Sequence, residues 1–131
     1  MIFVDTSFWI AYYNIRDAQH EDAIELLRRS GATQLVTTNH VRGETWTLLR
    51  RRADHTLAMR FVDRLGHSTK VRTVFVLQRQ EADALKWLGQ HDERRYSYVD
   101  ATSFVVMRTL HIRDALCYDD DFVAAGFRRM N

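Results

Sequence analysis

Four acidic residues of this sequence have the type and the positions to bind one metal ion together: Asp5, Glu44, Asp100 and Asp119. Asp5 comes directly after the apolar run 2–4, and Asp119 comes directly after the apolar run 115–118. Carboxylate oxygens are the ligands that Mg²⁺ and Mn²⁺ prefer, whereas one cysteine and unclustered histidines argue against zinc. If the four carboxylates converge, they form a site where a divalent ion can activate water against a phosphate ester.

Glu44 is the acid that is hardest to explain as an ordinary surface residue. In a helix that contains Val41 and Leu48, position 44 lies on the margin of the buried face. A carboxylate close to a core is costly unless it is paired or bound to a metal. Arg42 and Arg51 are poorly spaced for pairing with it along a helix. A metal ion or a more distant arginine remains as its partner.

Asp5 and Asp100 each have an alternative interpretation as helix N-caps, a role in which aspartate is among the best residues. Asp5 precedes a helical segment, although Thr6 or Ser7 could cap that helix instead. Asp100 precedes the apolar helix predicted over 101–110 and could cap it without a capping box. Both interpretations stay open at this point.

The run Asp119-Asp120-Asp121 places three carboxylates at one strand end. Adjacent carboxylates raise one another's pKa unless a cation offsets them, and a cation is the simpler account. Asp121 could alternatively cap a short helix over 122–125. Cys117 lies in the apolar run before these acids and is expected to be a small buried hydrophobic residue.

Short apolar runs alternate with amphipathic segments along the chain. The predicted strands are 2–4, 35–37, 71–76, 115–118 and 127–128. The predicted helices are 7–14, 18–30, a helix capped by Asn39 that runs to 52, 56–67, 81–92 with Ala84, Leu85 and Leu88 inward, and 101–110. This alternation predicts an α/β fold with a central parallel sheet of four to five short strands and helices on both faces. Such sheets bind ligands beyond the carboxyl ends of their strands, which is where Asp5 and Asp119 fall.

Composition limits the class of protein. The 131 residues, 46% of them hydrophobic and 27% charged, predict one globular domain over 1–131. No apolar stretch approaches a membrane span of about 18 residues, and the N-terminus lacks a signal peptide pattern, so a cytoplasmic location is expected. The net charge is +2, and the arginines occur in pairs and triplets. A basic surface around an acidic site suits a polyanionic substrate such as RNA.

Four segments occur in the order and at about the spacing of the motifs of a known family. They are Met1–Ser7, Asn39–Thr45, Val99–Phe104 and Tyr118–Phe127. With these segments the chain resembles the PIN-domain ribonucleases, specifically the VapC toxins of type II toxin–antitoxin systems. The resemblance spans residues 2–128. It implies that Asp5, Glu44, Asp100 and Asp119 hold Mg²⁺ or Mn²⁺.

The resemblance also implies a supporting role for Ser7 beside Asp5, a homodimer, and a VapB-like antitoxin that covers the site. Many members carry threonine where this chain has Cys117, so Asp121 could share the duty of Asp119. The implied activity is cleavage of a structured cellular RNA, tRNA or rRNA, by metal-activated water. A PIN nuclease of RNA maturation and a non-catalytic RNA-binding module are the alternatives.

Overall fold

The computed structural model describes all 131 residues of the protein. The strands are β1 (Ile2–Val4), β2 (Leu35–Thr38), β3 (Val71–Val74), β4 (Asp114–Leu116) and β5 (Arg128–Arg129). The helices are α1 (Thr6–Tyr13), α2 (His20–Arg29), α3 (Asn39–Arg52), α4 (His55–His67), α5 (Gln78–Gln90), α6 (Tyr98–Thr109) and α7 (Asp121–Ala124). None of these helices combines the length and the apolar character needed to traverse a bilayer.

The five strands form one sheet in the order β3-β2-β1-β4-β5, and every neighbouring pair is parallel. The chain moves from β1 through β2 to β3 in one direction and then returns to β4 and β5 on the other side of β1. Because parallel crossovers are right-handed, this reversal places the connecting helices on opposite faces of the sheet. The prediction of a parallel α/β sheet is confirmed. The order also puts a crevice at the carboxyl ends of β1 and β4, where ligands of such sheets bind.

The core lies between the sheet and the helices and is rich in aromatic side chains. Phe3, Phe104 and Phe122 are fully buried. The rings of Phe104 and Phe122 meet edge to face, with centroids 5.0 Å apart, and Phe3 stacks on Phe122 at 6.0 Å. These contacts fix the first turn of α7 against α6. They therefore set the relative position of two elements that carry candidate site residues.

Several element boundaries differ from the sequence-based prediction. Thr38, and not Asn39, caps α3, because its hydroxyl accepts a hydrogen bond from the backbone N–H of Val41 at 3.1 Å. The Asn39 side chain accepts instead from the backbone N–H of Val76 at 2.9 Å, which lies beyond the end of β3. The inward orientation predicted for Leu85 is wrong, since its side chain is 58% exposed.

Lys70, the residue before β3, caps the carboxyl end of α2. Its ammonium group donates to the carbonyl oxygen of Gly31 at 2.6 Å, to the Ser30 hydroxyl at 2.7 Å and to the carbonyl oxygen of Leu27 at 3.4 Å. A positive charge at a helix carboxyl end also complements the helix dipole. The contact ties α2 to the start of β3.

Candidate active site

Asp5 sits at the carboxyl end of β1 and caps α1. Its Oδ2 accepts hydrogen bonds from the backbone N–H of Ser7 at 3.2 Å and from the Ser7 hydroxyl at 2.8 Å. The Ser7 hydroxyl oxygen in turn accepts from the backbone N–H of Tyr118 at 2.9 Å. Ser7 thus connects the loop after β1 with the loop after β4. The N-cap interpretation of Asp5 is correct, and capping uses only one of its two oxygens.

Asp100 does not cap its helix, which corrects the capping role considered from the sequence. The helix begins at Tyr98, three residues before the predicted start at 101, and its N-cap is Ser97. The Ser97 hydroxyl accepts from the backbone N–H of Asp100 at 2.9 Å, and Asp100 Oδ2 accepts from the backbone N–H of Ser97 at 3.0 Å. This reciprocal pair is a capping box, and it holds the Asp100 carboxylate at the amino end of α6.

Of the three consecutive acids after β4, Asp119 and Asp121 share the site and Asp120 does not. Asp119 Oδ1 accepts from the backbone N–H of Asp121 at 3.1 Å. The helix-capping role considered for Asp121 is wrong, because Asp121 is the first residue of α7 and Asp120 is its N-cap. Asp121 Oδ1 pairs with the guanidinium of Arg94 at 3.0 Å. Asp120 is largely exposed and pairs with Arg129 at 2.6 Å. Arg129 also donates to the backbone oxygen of Asp119 at 2.6 Å, which orients this turn.

Three carboxylates meet closely enough to hold a metal ion. Asp100, Asp119 and Asp121 each offer an oxygen, and these oxygens lie within 4.8 Å of one another. Asp5 adjoins the group, because the charges of Asp119 and Asp100 act on its carboxyl. Asp5 and Asp100 are only 3% and 7% exposed. The site is therefore a small acidic pocket at the switch point of the sheet.

The pocket resists full ionisation. Burial raises the pKa of Asp5 well above its ordinary value of 3.8, and the charges of Asp119 and Asp100 raise it further. Burial likewise raises the pKa of Asp100 to about 7, against the opposing hydrogen bonds from Ser97. The pKa of Asp119 is also raised, mainly by burial. A cation placed among these groups would reverse the shifts, because it favours the charged form of each carboxylate.

The chemistry of the donors fits a hard divalent cation. All the converging side chains offer carboxylate oxygens, the ligand type of Mg²⁺ and Mn²⁺. Three buried hydroxyls nearby in sequence have no hydrogen-bond partner, namely those of Thr6, Thr45 and Ser103. Each lies one to three residues after a candidate acid. Buried hydroxyls are normally paired, so these three are exceptions within the protein.

Cys117 takes no ionic part in the site. It is buried, as predicted, and burial raises the pKa of its thiol to about 12. The thiol therefore stays neutral near pH 7 and is not an anionic ligand. Asp119 accepts its hydrogen bond from the backbone N–H of Asp121 and not from the side chain at position 117.

Glu44 lies outside the group of three converging aspartates. It is half-buried on α3, and no lysine, arginine or histidine lies within 4.0 Å of its carboxylate. The helix-surface partners considered from the sequence, Arg42 and Arg51, are thus not used. Glu44 keeps an unpaired carboxylate on a helix that packs against both α1 and α6, the helices that follow Asp5 and contain Asp100.

A polar contact links α3, α5 and α6 one turn away from Glu44. His40 Nε2 lies 3.3 Å from Glu81 Oε1, and the Tyr98 hydroxyl donates to the same oxygen at 3.0 Å. The rings of His40 and Tyr98 also stack, with centroids 5.8 Å apart. Tyr98 is two residues before Asp100, so the contact sets the spacing between the helices of Glu44 and Asp100. Sequence reasoning missed it, because the three residues are far apart in the chain.

Three further residues near the site were not predicted individually. Arg94 and Arg129 were noted only as members of arginine pairs, yet they hold the turn that carries Asp119 and Asp121. Ser97 was missed entirely, although the spacing from Ser97 to Asp100 is that of a capping box and could have revealed it.

Comparison with known proteins gives the family of this acidic pocket. Residues 2–128 match the PIN domain. The chain belongs to the PIN domain family. This PIN domain is 51% identical over 127 residues to the 23S rRNA-specific endonuclease VapC20 of Mycobacterium tuberculosis, which covers 97% of this chain and 95% of that protein. The resemblance to VapC toxins is thereby confirmed.

A more distant relative and a solved structure support the same placement. The PIN domain is 27% identical over 123 residues to a VapC ribonuclease of Archaeoglobus fulgidus, covering 91% of this chain and 77% of that one. It superposes on the crystal structure of Mycobacterium tuberculosis VapC20, a sarcin–ricin loop cleaving toxin, with a TM-score of 0.92 and 49% identity. That match covers 97% of this chain and 96% of the other. The fold therefore agrees with that crystal structure over nearly the whole of both chains.

Proposed function

We propose that this PIN domain is a metal-dependent endoribonuclease of the VapC type that cuts a loop of 23S rRNA. The observation that carries the proposal is the acidic pocket, where Asp100, Asp119 and Asp121 converge within 4.8 Å and Asp5 adjoins them. The choice of 23S rRNA over tRNA rests on the identity of 51% to a 23S rRNA-specific endonuclease.

The aspartates would hold Mg²⁺ or Mn²⁺, and Glu44 would complete the set from α3. When bound, the ion would supply a more acidic water and would neutralise charge on the phosphate under attack. The chain itself contributes by holding the carboxylates in position. Ser7 orients Asp5 with two hydrogen bonds, and the capping box orients Asp100. Asp119 and Asp121 are fixed by their own turn and by Arg94.

The roles of the individual acids can be tested by conservative substitution. We expect Asp5→Asn, Glu44→Gln, Asp100→Asn and Asp119→Asn each to reduce rRNA cleavage at least about 100-fold with the fold intact, since each removes a charged ligand without changing shape. Asp83→Asn, which removes an exposed carboxylate from α5, is the matched control. Cleavage by Asp5→Asn or Asp100→Asn at the rate of the wild type would refute the assignment of the site.

The ends of the products identify the nucleophile. Nucleases that use the 2′-hydroxyl need a general base and acid, commonly histidines, and leave a cyclic phosphate. No histidine lies among the converging carboxylates. We therefore expect a 5′-phosphate and a 3′-hydroxyl, with EDTA stopping the reaction and Mg²⁺ or Mn²⁺ restoring it. Cyclic phosphate ends, or full activity in EDTA, would mean that the carboxylates do something else.

The biological role we propose is that of a toxin held in check by a VapB-like antitoxin, with the PIN domain acting as a homodimer. Arginine pairs bidentately with carboxylates, so an antitoxin arginine placed in the acidic pocket would compete with the metal ion. Expression of the chain alone should arrest bacterial growth, and expression of Asp100→Asn should not. Harmless expression of a soluble and active enzyme would favour an RNA-maturation nuclease instead. Primer extension across ribosomal RNA then locates the cut.

A further inference from the structure

A second polar site lies at the far end of α6 from the carboxylates. Here a cavity of about 520 Å³ opens between the turn that ends α6 and the turn that precedes β5. Its lining includes Arg108, His111, Arg113 and Arg128, with Phe127 contributing an apolar wall. This cavity takes no part in the acidic pocket, because it adjoins the amino ends of β4 and β5.

The arginines of the cavity are not neutralised by their surroundings. Arg128 pairs with Asp114 at 2.7 Å, but neither Arg108 nor Arg113 has a carboxylate within 4.0 Å. Three guanidinium groups thus share a single carboxylate. Such an excess of positive charge in a concave surface attracts a polyanion and raises its local concentration.

Arg108 is held in place rather than free in solvent. Its guanidinium lies over the ring of Phe127 at 5.3 Å and near the ring of Trp87 at 6.0 Å. It also donates to the backbone oxygen of Ala125 at 3.4 Å. Contacts with aromatic faces fix a guanidinium while leaving donor groups for another partner. A fixed guanidinium loses less conformational entropy when it binds an oxyanion than a mobile one does.

His111 adds a second, independent observation. Its backbone has a φ of +56°, the only positive φ at a residue other than glycine. It ends α6 in a turn where the N–H of Ile112 bonds to the carbonyl of Met107 at 2.8 Å, and glycine is the usual residue for this position. The chain accepts the backbone cost of a histidine here. His111 is part of the cavity lining, and a histidine ring can donate to a phosphate oxygen.

We propose that this cavity binds a phosphate group of the RNA substrate, several nucleotides away from the bond that is cut. The proposal rests on the ribonuclease function proposed above. Asp100 and Arg108 lie at opposite ends of α6, so eight residues separate them by about 12 Å along the helix axis. At about 3.4 Å of axis per nucleotide in a stacked strand, a direct path of this length corresponds to about four nucleotides, and a path over the protein surface to more. An RNA that reaches both sites is therefore longer than the cleaved step.

The test measures RNA binding with substrates of two lengths. In the Asp100→Asn background, which prevents cutting, fluorescence anisotropy gives the affinity for a stem-loop of more than twenty nucleotides and for a fragment of three nucleotides around the cut. We expect Arg113→Gln to weaken binding of the stem-loop about five- to tenfold at low salt and to lower the salt slope by about 0.7 to 0.9, the value for one phosphate contact. Binding of the short fragment should not change. Arg72→Gln, an exposed arginine on β3 at the other side of the sheet, is the matched control.

His111→Gly separates ligand binding from folding. Glycine suits the backbone of this turn, so thermal stability should be kept or improved, while affinity for the stem-loop should fall about threefold or more with loss of a hydrogen bond to phosphate. Inorganic phosphate at millimolar concentration should compete with the stem-loop for binding only when the cavity has its wild-type residues. This result would identify the bound group as a phosphate.

Unchanged affinity and salt slope in both variants would overturn the proposal, and so would an equal loss on the short fragment, which would indicate general attraction only. Failure of the ribonuclease function would look different, because then the chain with an intact Asp100 would cut neither RNA.

Discussion

Removing one charge from the acidic pocket should stabilise the metal-free protein. The substitution is Asp100→Asn, which keeps the shape of the side chain and leaves an oxygen to accept the backbone N–H of Ser97. In the folded protein, burial raises the pKa of Asp100 to about 7, whereas the unfolded chain keeps it near 3.8. The folded state therefore binds a proton more readily than the unfolded state does. Its stability falls as the pH rises from 3.8 through about 7 and then stays low.

The size of the effect follows from the difference between the two pKa values. One pKa unit corresponds to about 1.4 kcal/mol, so the cost of ionised Asp100 at pH 8 has an upper limit of about 4 kcal/mol. Asp5 and Asp119 lie beside it and also take up protons readily, which relieves part of this cost. We expect Asp100→Asn to raise the free energy of unfolding by about 1–3 kcal/mol at pH 8, and by about half of that or less at pH 5.

Urea unfolding followed by circular dichroism, in EDTA at pH 5 and pH 8, measures the effect. Asp83→Asn, on the exposed face of α5, controls for the loss of one negative charge from the whole protein. The reasoning is refuted if Asp100→Asn is no more stable than the wild type at pH 8, or if its gain is the same at both pH values. Either result would mean that Asp100 is solvated and ionised without strain.

Three further outcomes follow from contacts described above. Mn²⁺ at millimolar concentration should raise the melting temperature of the wild type by several degrees and that of Asp5→Asn much less, as differential scanning fluorimetry can show, because only an intact carboxylate set binds the ion to the folded state. Ser7→Ala should lower the cleavage rate about tenfold and the melting temperature by a few degrees, since it breaks the link between Asp5 and Tyr118 and leaves the backbone N–H of Tyr118 without its acceptor; a rate equal to the wild type would remove Ser7 from the site. Lys70→Met should lower the free energy of unfolding by about 1–2 kcal/mol in urea titrations, because two close hydrogen bonds at the end of α2 are lost; the exposed Lys86→Met is its control, and equal effects would contradict the capping role.

The centre of the sheet could be predicted because β1 and β2 are short, fully buried and rich in apolar residues. In a protein of this size, the runs 2–4 and 35–37 are best explained as buried strands. Their alternation with helices predicts a parallel sheet. Strand order then brings the residues after β1 and β4 to the same edge. Asp5 and Asp119 were located in this way, without knowledge of any contact.

The composition of the pocket could be predicted less well. Whether Glu44 or Asp121 lies beside Asp100 depends on how α3 and α7 are inclined to the sheet, and this angle is set by packing that leaves no local pattern. The aromatic contact between Phe104 and Phe122 is what brings α7 against α6. The role of Asp121 was anticipated only as a supporting one, whereas its oxygen is part of the converging group.

Helix starts were the other source of error. The start of α6 was placed at an aspartate because aspartate is a common cap, but Ser97 and Asp100 act together as a box. Leu85 was assigned inward from its apolar character alone, yet it is 58% exposed. The start of α6 could have been read from the spacing of Ser97 and Asp100, whereas the exposure of Leu85 depends on how α5 packs.

The hydrogen bonds of the pocket divide each aspartate into two unequal oxygens. Asp5 Oδ2 accepts from Ser7, Asp100 Oδ2 accepts from Ser97, and Asp119 Oδ1 accepts from the backbone of the next turn. No backbone N–H, hydroxyl, lysine or arginine donates to the second oxygen, and the carboxyls of Asp5 and Asp119 share a hydrogen bond when one of them is protonated. Each of these residues can therefore offer one oxygen to a cation without giving up the bond that orients it. Mg²⁺ prefers six ligands, so three single oxygens would fill half of its positions and would leave the rest to the other carboxylates, to water and to RNA.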